Sequence, residues 1–119
     1  MKFVWLLPGF LSVSAWAAEP IDLNVHTAGD LAAYCATDPH GVGADAKINF
    51  CHGFAQGAVD VRMHAPPDKR PFCFPSPTPN RAATMREFVG WVRATPSNRD
   101  LPVLDGLFKF FEQRFPCPH

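Results

Sequence analysis

Six prolines stand between residues 66 and 79: Pro66, Pro67, Pro71, Pro75, Pro77 and Pro79. Proline has no amide hydrogen to donate, and its ring collides with a preceding helical turn. Such a stretch is neither helix interior nor paired strand. It cuts a chain of only 119 residues into two parts joined by an extended strap. Each part has room for short elements around one small core. No segment alternates as a strand and no repeat occurs, whereas apolar residues recur with helical spacing on both sides of the strap. The expected fold is all-α, a compact four-helix domain with proline-rich loops.

The first helix is expected at about 28–36. Thr27 caps it, with Asp30 in place of the usual Glu of a capping box, and Ala28, Leu31, Ala32 and Cys35 share one side. Residues 37–43 break the pattern. The second helix, about 44–64, carries Ile48, Cys51, Ala55, Ala58 and Val59 on one flank and Phe50, Phe54, Gly57 and Val61 on the next. That arc exceeds the ~100° of a surface helix, so this helix is expected at the centre, packed on two sides. Gly53 and Gly57 each cost about 1 kcal/mol of helix propensity, a cost that fits the close approach of a neighbouring helix. Asn49, His52, Gln56, Asp60 and His64 fill its polar face.

After the strap, Thr78 is expected to cap a third helix with Pro79 at its first position. It runs to Ala94 and buries Ala82, Met85, Phe88, Val89 and Val92, with Arg86, Gly90 and Arg93 facing away. Residues 95–98 end it. Asp100 is expected to cap a fourth helix over 101–115, with Val103, Leu104, Leu107, Phe108, Phe111 and Phe115 inward.

The N-terminus constrains the compartment. Lys2 precedes an uncharged, mostly apolar run from Phe3 to Trp16, and Ala15-Trp16-Ala17 places small residues where a signal peptidase reads them. Residues 1–17 are read as a signal peptide cleaved after Ala17. Glu19 and Asp22 end the run short of the ~20 residues a membrane span needs. The expected mature domain is 18–119, periplasmic, with no membrane segment after cleavage. All four cysteines lie in it, and an oxidising compartment favours disulfides, which a domain this small needs as staples. Three pairings are formally open. Cys35 ends one helix and Cys51 lies early in the next, across a short hairpin. Cys73 and Cys117 are both loose ends. The expected pairs are Cys35–Cys51 and Cys73–Cys117, worth about 3 and 4 kcal/mol in the chain-entropy account.

Composition and motifs exclude most chemistry. A 47% hydrophobic, 18% charged chain of zero formal net charge is not a disordered one, and lacks the basic excess of a nucleic-acid binder. Histidines 26, 40, 52, 64 and 119 form no ligand pair three or four apart. Asp60 and His64 are a single pair on a solvated face. Cys51-His52 completes only half of a haem-attachment motif, because Ile48 stands where the first cysteine belongs. Ser76 and Ser97 are the only serines of the mature part, and there is no nucleophile elbow or phosphate loop. The reading is a non-enzymatic binding protein with no cofactor and no metal.

Phe50-Cys51-x-Gly53-Phe54-x-x-Gly57-x-x-Asp60, then Phe72-Cys73-x-Pro75, Thr78 and Phe115-Pro116-Cys117 resemble in order the signature pieces of the Rap/Tai family. These are periplasmic immunity proteins against type VI secretion amidases. The resemblance covers about residues 31–117. Thr95-Pro96 stands where the family often has His-Pro, and Phe110-Phe111 where it has Ala-Leu. The resemblance implies a homodimer that holds loops against the active site of an exported peptidoglycan amidase. Thr95, Pro96, Ser97, Asn98 and Arg99, a short segment between two capped helices, are the candidate partner-binding residues, because a pre-organised loop loses little entropy on binding. Asp68, Lys69 and Arg70 form a second candidate. The competing class is a structural or client-binding, chaperone-like periplasmic protein, with some of the eleven phenylalanines lining a client groove.

Overall fold

The computed structural model describes residues 23–118, together with Lys2, Phe3 and Gly9. The rest of the predicted signal peptide, including its cleavage site, lies outside the described residues. Five helices follow in order: α1 (Ala28–Cys35), α2 (Ala44–Met63), α3 (Arg81–Ala94), α4 (Pro96–Arg99) and α5 (Val103–Arg114). A 3-10 turn, Pro67–Lys69, interrupts the strap. The described residues contain no strand, only a bridge between Thr27 and Pro102. Both predicted disulfides are formed, with Cα separations of 5.2 Å for Cys35–Cys51 and 4.8 Å for Cys73–Cys117.

The capping box of α1 forms as its sequence dictates. The Asp30 amide donates to Thr27 Oγ1 at 3.1 Å, and Asp30 Oδ2 accepts from the amides of Thr27 (2.9 Å) and His26 (3.0 Å). Gly43, at φ 72°, supplies the left-handed turn into α2. Two helix starts differ from expectation. α3 begins at Arg81, capped by Asn80, whose Oδ1 accepts from the Ala83 amide at 2.9 Å. Asn80 stays extended, at φ −64° and ψ 127°, and takes the capping role from Thr78, as Asn caps at least as well as Thr. α5 begins at Val103, because Pro102 disfavours helical geometry at Leu101, the expected first helical residue. Asp100 therefore ends α4 instead of starting α5.

α1 occupies the centre, against α2, α3, α4 and α5. Ala28 and Leu31 are fully buried. Small residues permit the convergence: a β-carbon on Gly106 of α5 would lie 2.6 Å from that of Ala28, and one on Gly29 would lie 3.1 Å from the Arg99 carbonyl oxygen. The expectation of a central α2 is corrected here. Only Ala44, Cys51 and Ala55 of α2 are buried, and Val61 is 75% exposed. An eight-residue helix with mostly small side chains packs among four neighbours more closely than a long helix carrying Phe50 and Phe54.

The strap is a core element. Phe72 is fully buried, its ring 5.1 Å from that of Phe111 and 5.5 Å from that of Phe74. The Cys73 amide donates to the Phe115 carbonyl at 2.8 Å, beside the disulfide to Cys117. On α3, Met85, Phe88, Val89 and Val92 are buried as expected, while Ala82 is half-buried and Thr84 is buried. On α5, Leu107, Phe108 and Phe111 face inward, but Leu104 is exposed and Phe110 is buried against Phe88 and Trp91.

Candidate functional site

The segment expected as a loop at 95–99 is a corner built around one helical turn. Thr95 is extended, at φ −130° and ψ 107°, and Pro96 starts α4 where its missing amide hydrogen is no loss. The Asn98 amide closes the turn onto the Thr95 carbonyl at 2.9 Å. Thr95, Pro96, Ser97 and Arg99 are exposed. Asn98 is 5% exposed. It is part of what holds the corner, so its side chain does not face outward with the other four. α4 rests on α1 and α3, and Gly29 admits the Arg99 backbone. The corner is thus shaped before any partner arrives.

The second predicted segment divides. Asp68 and Lys69 are exposed in the 3-10 turn. Arg70 is half-buried, and its Nε donates to the Ala65 carbonyl at 3.0 Å. It ties the strap back to the end of α2. The corner sits on α1 and α3, whereas Phe72 and Phe74 seat the strap on α5.

Two further surfaces emerge that no linear motif announced. Gly53, Phe54, Gly57, Ala58 and Val61 of α2 form an apolar groove with Leu104 and Phe108 of α5, and the Arg62 guanidinium lies 4.5 Å over the Phe108 ring. The wide apolar arc of α2 was the available signal. Between α2, the strap and α3 lies a cavity floored by Phe74, Met85 and Phe111. At its mouth Arg81 donates to Gln56 Oε1 at 2.8 Å, and Gln56 Nε2 donates to Asp60 Oδ1 at 2.8 Å. Asp60 thereby uses its carboxylate on Gln56. His64 meets it only through a backbone hydrogen bond, its amide donating to the Asp60 carbonyl at 3.1 Å.

Electrostatic features are local. Glu87 pairs with Arg114 at 2.7 Å, and that contact holds the Arg114 guanidinium above its usual pKa. Backbone amides of Thr27, then His26, hold the Asp30 carboxyl below its ordinary value. Among the described residues no three metal-ligating side chains gather, every cysteine is in a disulfide, and no helix is long and apolar enough to cross a membrane.

The family model of Rap1a immunity proteins matches residues 27–117. No curated protein and no solved structure matches the chain.

Proposed function

The chain belongs to the Rap1a immunity protein family, and from that premise we propose that it is an exported, non-catalytic inhibitor of a cell-wall amidase toxin. The observation that carries the reading is the match over residues 27–117, which takes in all five helices and both disulfides. The apolar N-terminal run and the two disulfides support a periplasmic location, where thiols are oxidised. Immunity of this kind needs affinity and shape. A rigid edge fills the toxin's cleft and keeps substrate out.

The α3–α4 corner is the first candidate edge. Thr95, Pro96, Ser97 and Arg99 present its outer surface, and Asn98 braces it from inside. Its pre-organisation lowers the ordering cost of binding. Asp68 and Lys69 at the strap's turn form the second edge. A homodimer, which the family resemblance implies, has a suitable apolar surface in the α2–α5 groove. The same groove, with Val61 and Leu104 open, favours the runner-up reading of a client-binding, chaperone-like periplasmic protein.

Co-expression separates the two. The immunity reading expects an exported amidase gene beside this chain's gene, whose product, directed to the periplasm, should lyse cells when alone and spare them when this protein is co-exported; no amidase gene nearby would count against it. Lysis despite good export, together with binding of unrelated unfolded proteins, would favour the client-binding reading.

A further inference from the structure

We infer that the trough between α1 and α3 is a docking surface for a carboxylate-bearing segment of a partner protein, read by Arg86, Arg93 and Arg99. This rests on the binding reading above and names the chemistry of the partner at that edge.

Arg86 and Arg93 lie seven residues apart on the outer face of α3, with Gly90 between them, and Arg99 continues the row from α4. Two depressions meet at Arg93. One runs from Arg86 to the end of α1 at Cys35 and Ala36, and the other from Arg99 to Gly29 and Ala33. No carboxylate lines either one. The chain is neutral overall, so this charge is a local concentration.

The other four arginines are engaged within the protein. Arg114 pairs with Glu87, Arg81 donates to Gln56, Arg70 donates to the Ala65 carbonyl, and Arg62 covers the Phe108 ring. Arg86, Arg93 and Arg99 are exposed, and among the described residues their side chains make no hydrogen bond, ion pair or ring contact. Guanidinium groups recognise carboxylates through paired, charge-assisted hydrogen bonds. Gly29, Ala33 and Gly90 keep the floor low, so a partner's backbone can come near enough for all three to engage. A duplex or a membrane is a poorer fit, because three cations in a neutral chain neutralise few phosphates.

The test uses the disulfide-bonded protein and its triple variant Arg86→Gln/Arg93→Gln/Arg99→Gln, with melting temperature as the check on folding. Titrated calorimetrically with the amidase that the immunity reading expects beside the gene, the variant should bind at least about tenfold more weakly than the wild type. Wild-type affinity should also fall with added salt more steeply than the variant's. Equal affinity in the two would overturn this inference and leave the immunity reading intact. If no such amidase is encoded there, or the wild type does not bind it, the immunity reading fails, and a hexaglutamate peptide decides this inference by NMR titration. Shifts confined to the three arginines and their neighbours, and lost in the variant, uphold it. No shift, shifts elsewhere, or tighter arginine-dependent binding of duplex DNA or anionic vesicles overturns it. Should the triple variant not fold, the single Arg93→Gln variant, which breaks the row at its middle, is scored the same way.

Discussion

Gly106 of α5 and Ala28 of α1 meet so closely that a β-carbon on the glycine would sit 2.6 Å from the alanine's. This crossing sets where the central helix lies, because Ala28 is fully buried and α1 carries the contacts to α2, α3 and α4 as well. Gly106→Val must push α1 and α5 apart. A loss of about 1–3 kcal/mol is expected, read from urea melts, and an unchanged midpoint would mean that the crossing is looser than described.

Gly57 behaves oppositely. Its Cα faces open space, with no heavy atom within 4 Å of a β-carbon placed there. Gly57→Ala should therefore stabilise the dilute monomer by about 0.5–1 kcal/mol through helix propensity. A variant that is instead destabilised, and more so at high protein concentration, would show that a second copy covers the α2–α5 groove.

Each disulfide closes a loop of different size, spanning 16 residues for Cys35–Cys51 and 44 for Cys73–Cys117. Paired Cys→Ala replacement should cost about 3 kcal/mol for the first and about 4 kcal/mol for the second. The second also releases the end of the chain from the strap. Denaturant titration of both variants ranks them, and the reverse order would contradict the loop-length account.

Asp30 gives a pH dependence of known sign. Amides of Thr27 and His26 stabilise its ionised form, so its folded pKa lies below its unfolded one. The capping contribution is complete above the ordinary carboxylate value of about 3.9 and is lost as pH falls through the lowered folded value. Asp30→Asn should remove this part of the acid destabilisation. Thermal melts from pH 7 to pH 2 should then converge for the two proteins at the acid end and diverge above it.

Within the α3–α4 corner, exposure separates two kinds of residue. Ser97→Trp adds bulk at an exposed position and should weaken amidase binding by about tenfold or more, mainly through faster dissociation, with the melting curve unchanged. Asn98→Ala alters a buried position and should lower the melting temperature. Tight binding by the tryptophan variant would move attention to Asp68 and Lys69.

Features that depend on near neighbours in the chain were legible from the residues alone. Thr27 and Asp30 lie three apart, which one helical turn brings into bonding distance, so the capping box needs no distant partner. The same holds for the buried face of Met85, Phe88, Val89 and Val92, and for the choice of disulfides, where Cys35 and Cys51 are brought together by a short hairpin. Helix starts beside Pro79 and Pro102 were less legible. At the first, two cap residues compete and Asn80 prevailed over Thr78; at the second, the restriction that Pro102 places on Leu101 outweighed the cap at Asp100.

The apolar arc of α2 and the row of Arg86, Gly90 and Arg93 were visible as patterns, but not their fates. A helical wheel records which residues share a side; it is silent on which side another element covers. In the folded chain α1 lies in the middle, crossing α5 at Ala28 and Gly106, the Gly53–Gly57–Val61 face of α2 stays open, and Arg99, admitted by Gly29, continues from Arg93. The sequence by itself determined the helical class, the staples and the family, since those rest on local spacing and on residue types. Only the tertiary structure decided which helix is central and which surfaces remain for a partner, because small residues far apart in the chain have to meet before a helix can be enclosed.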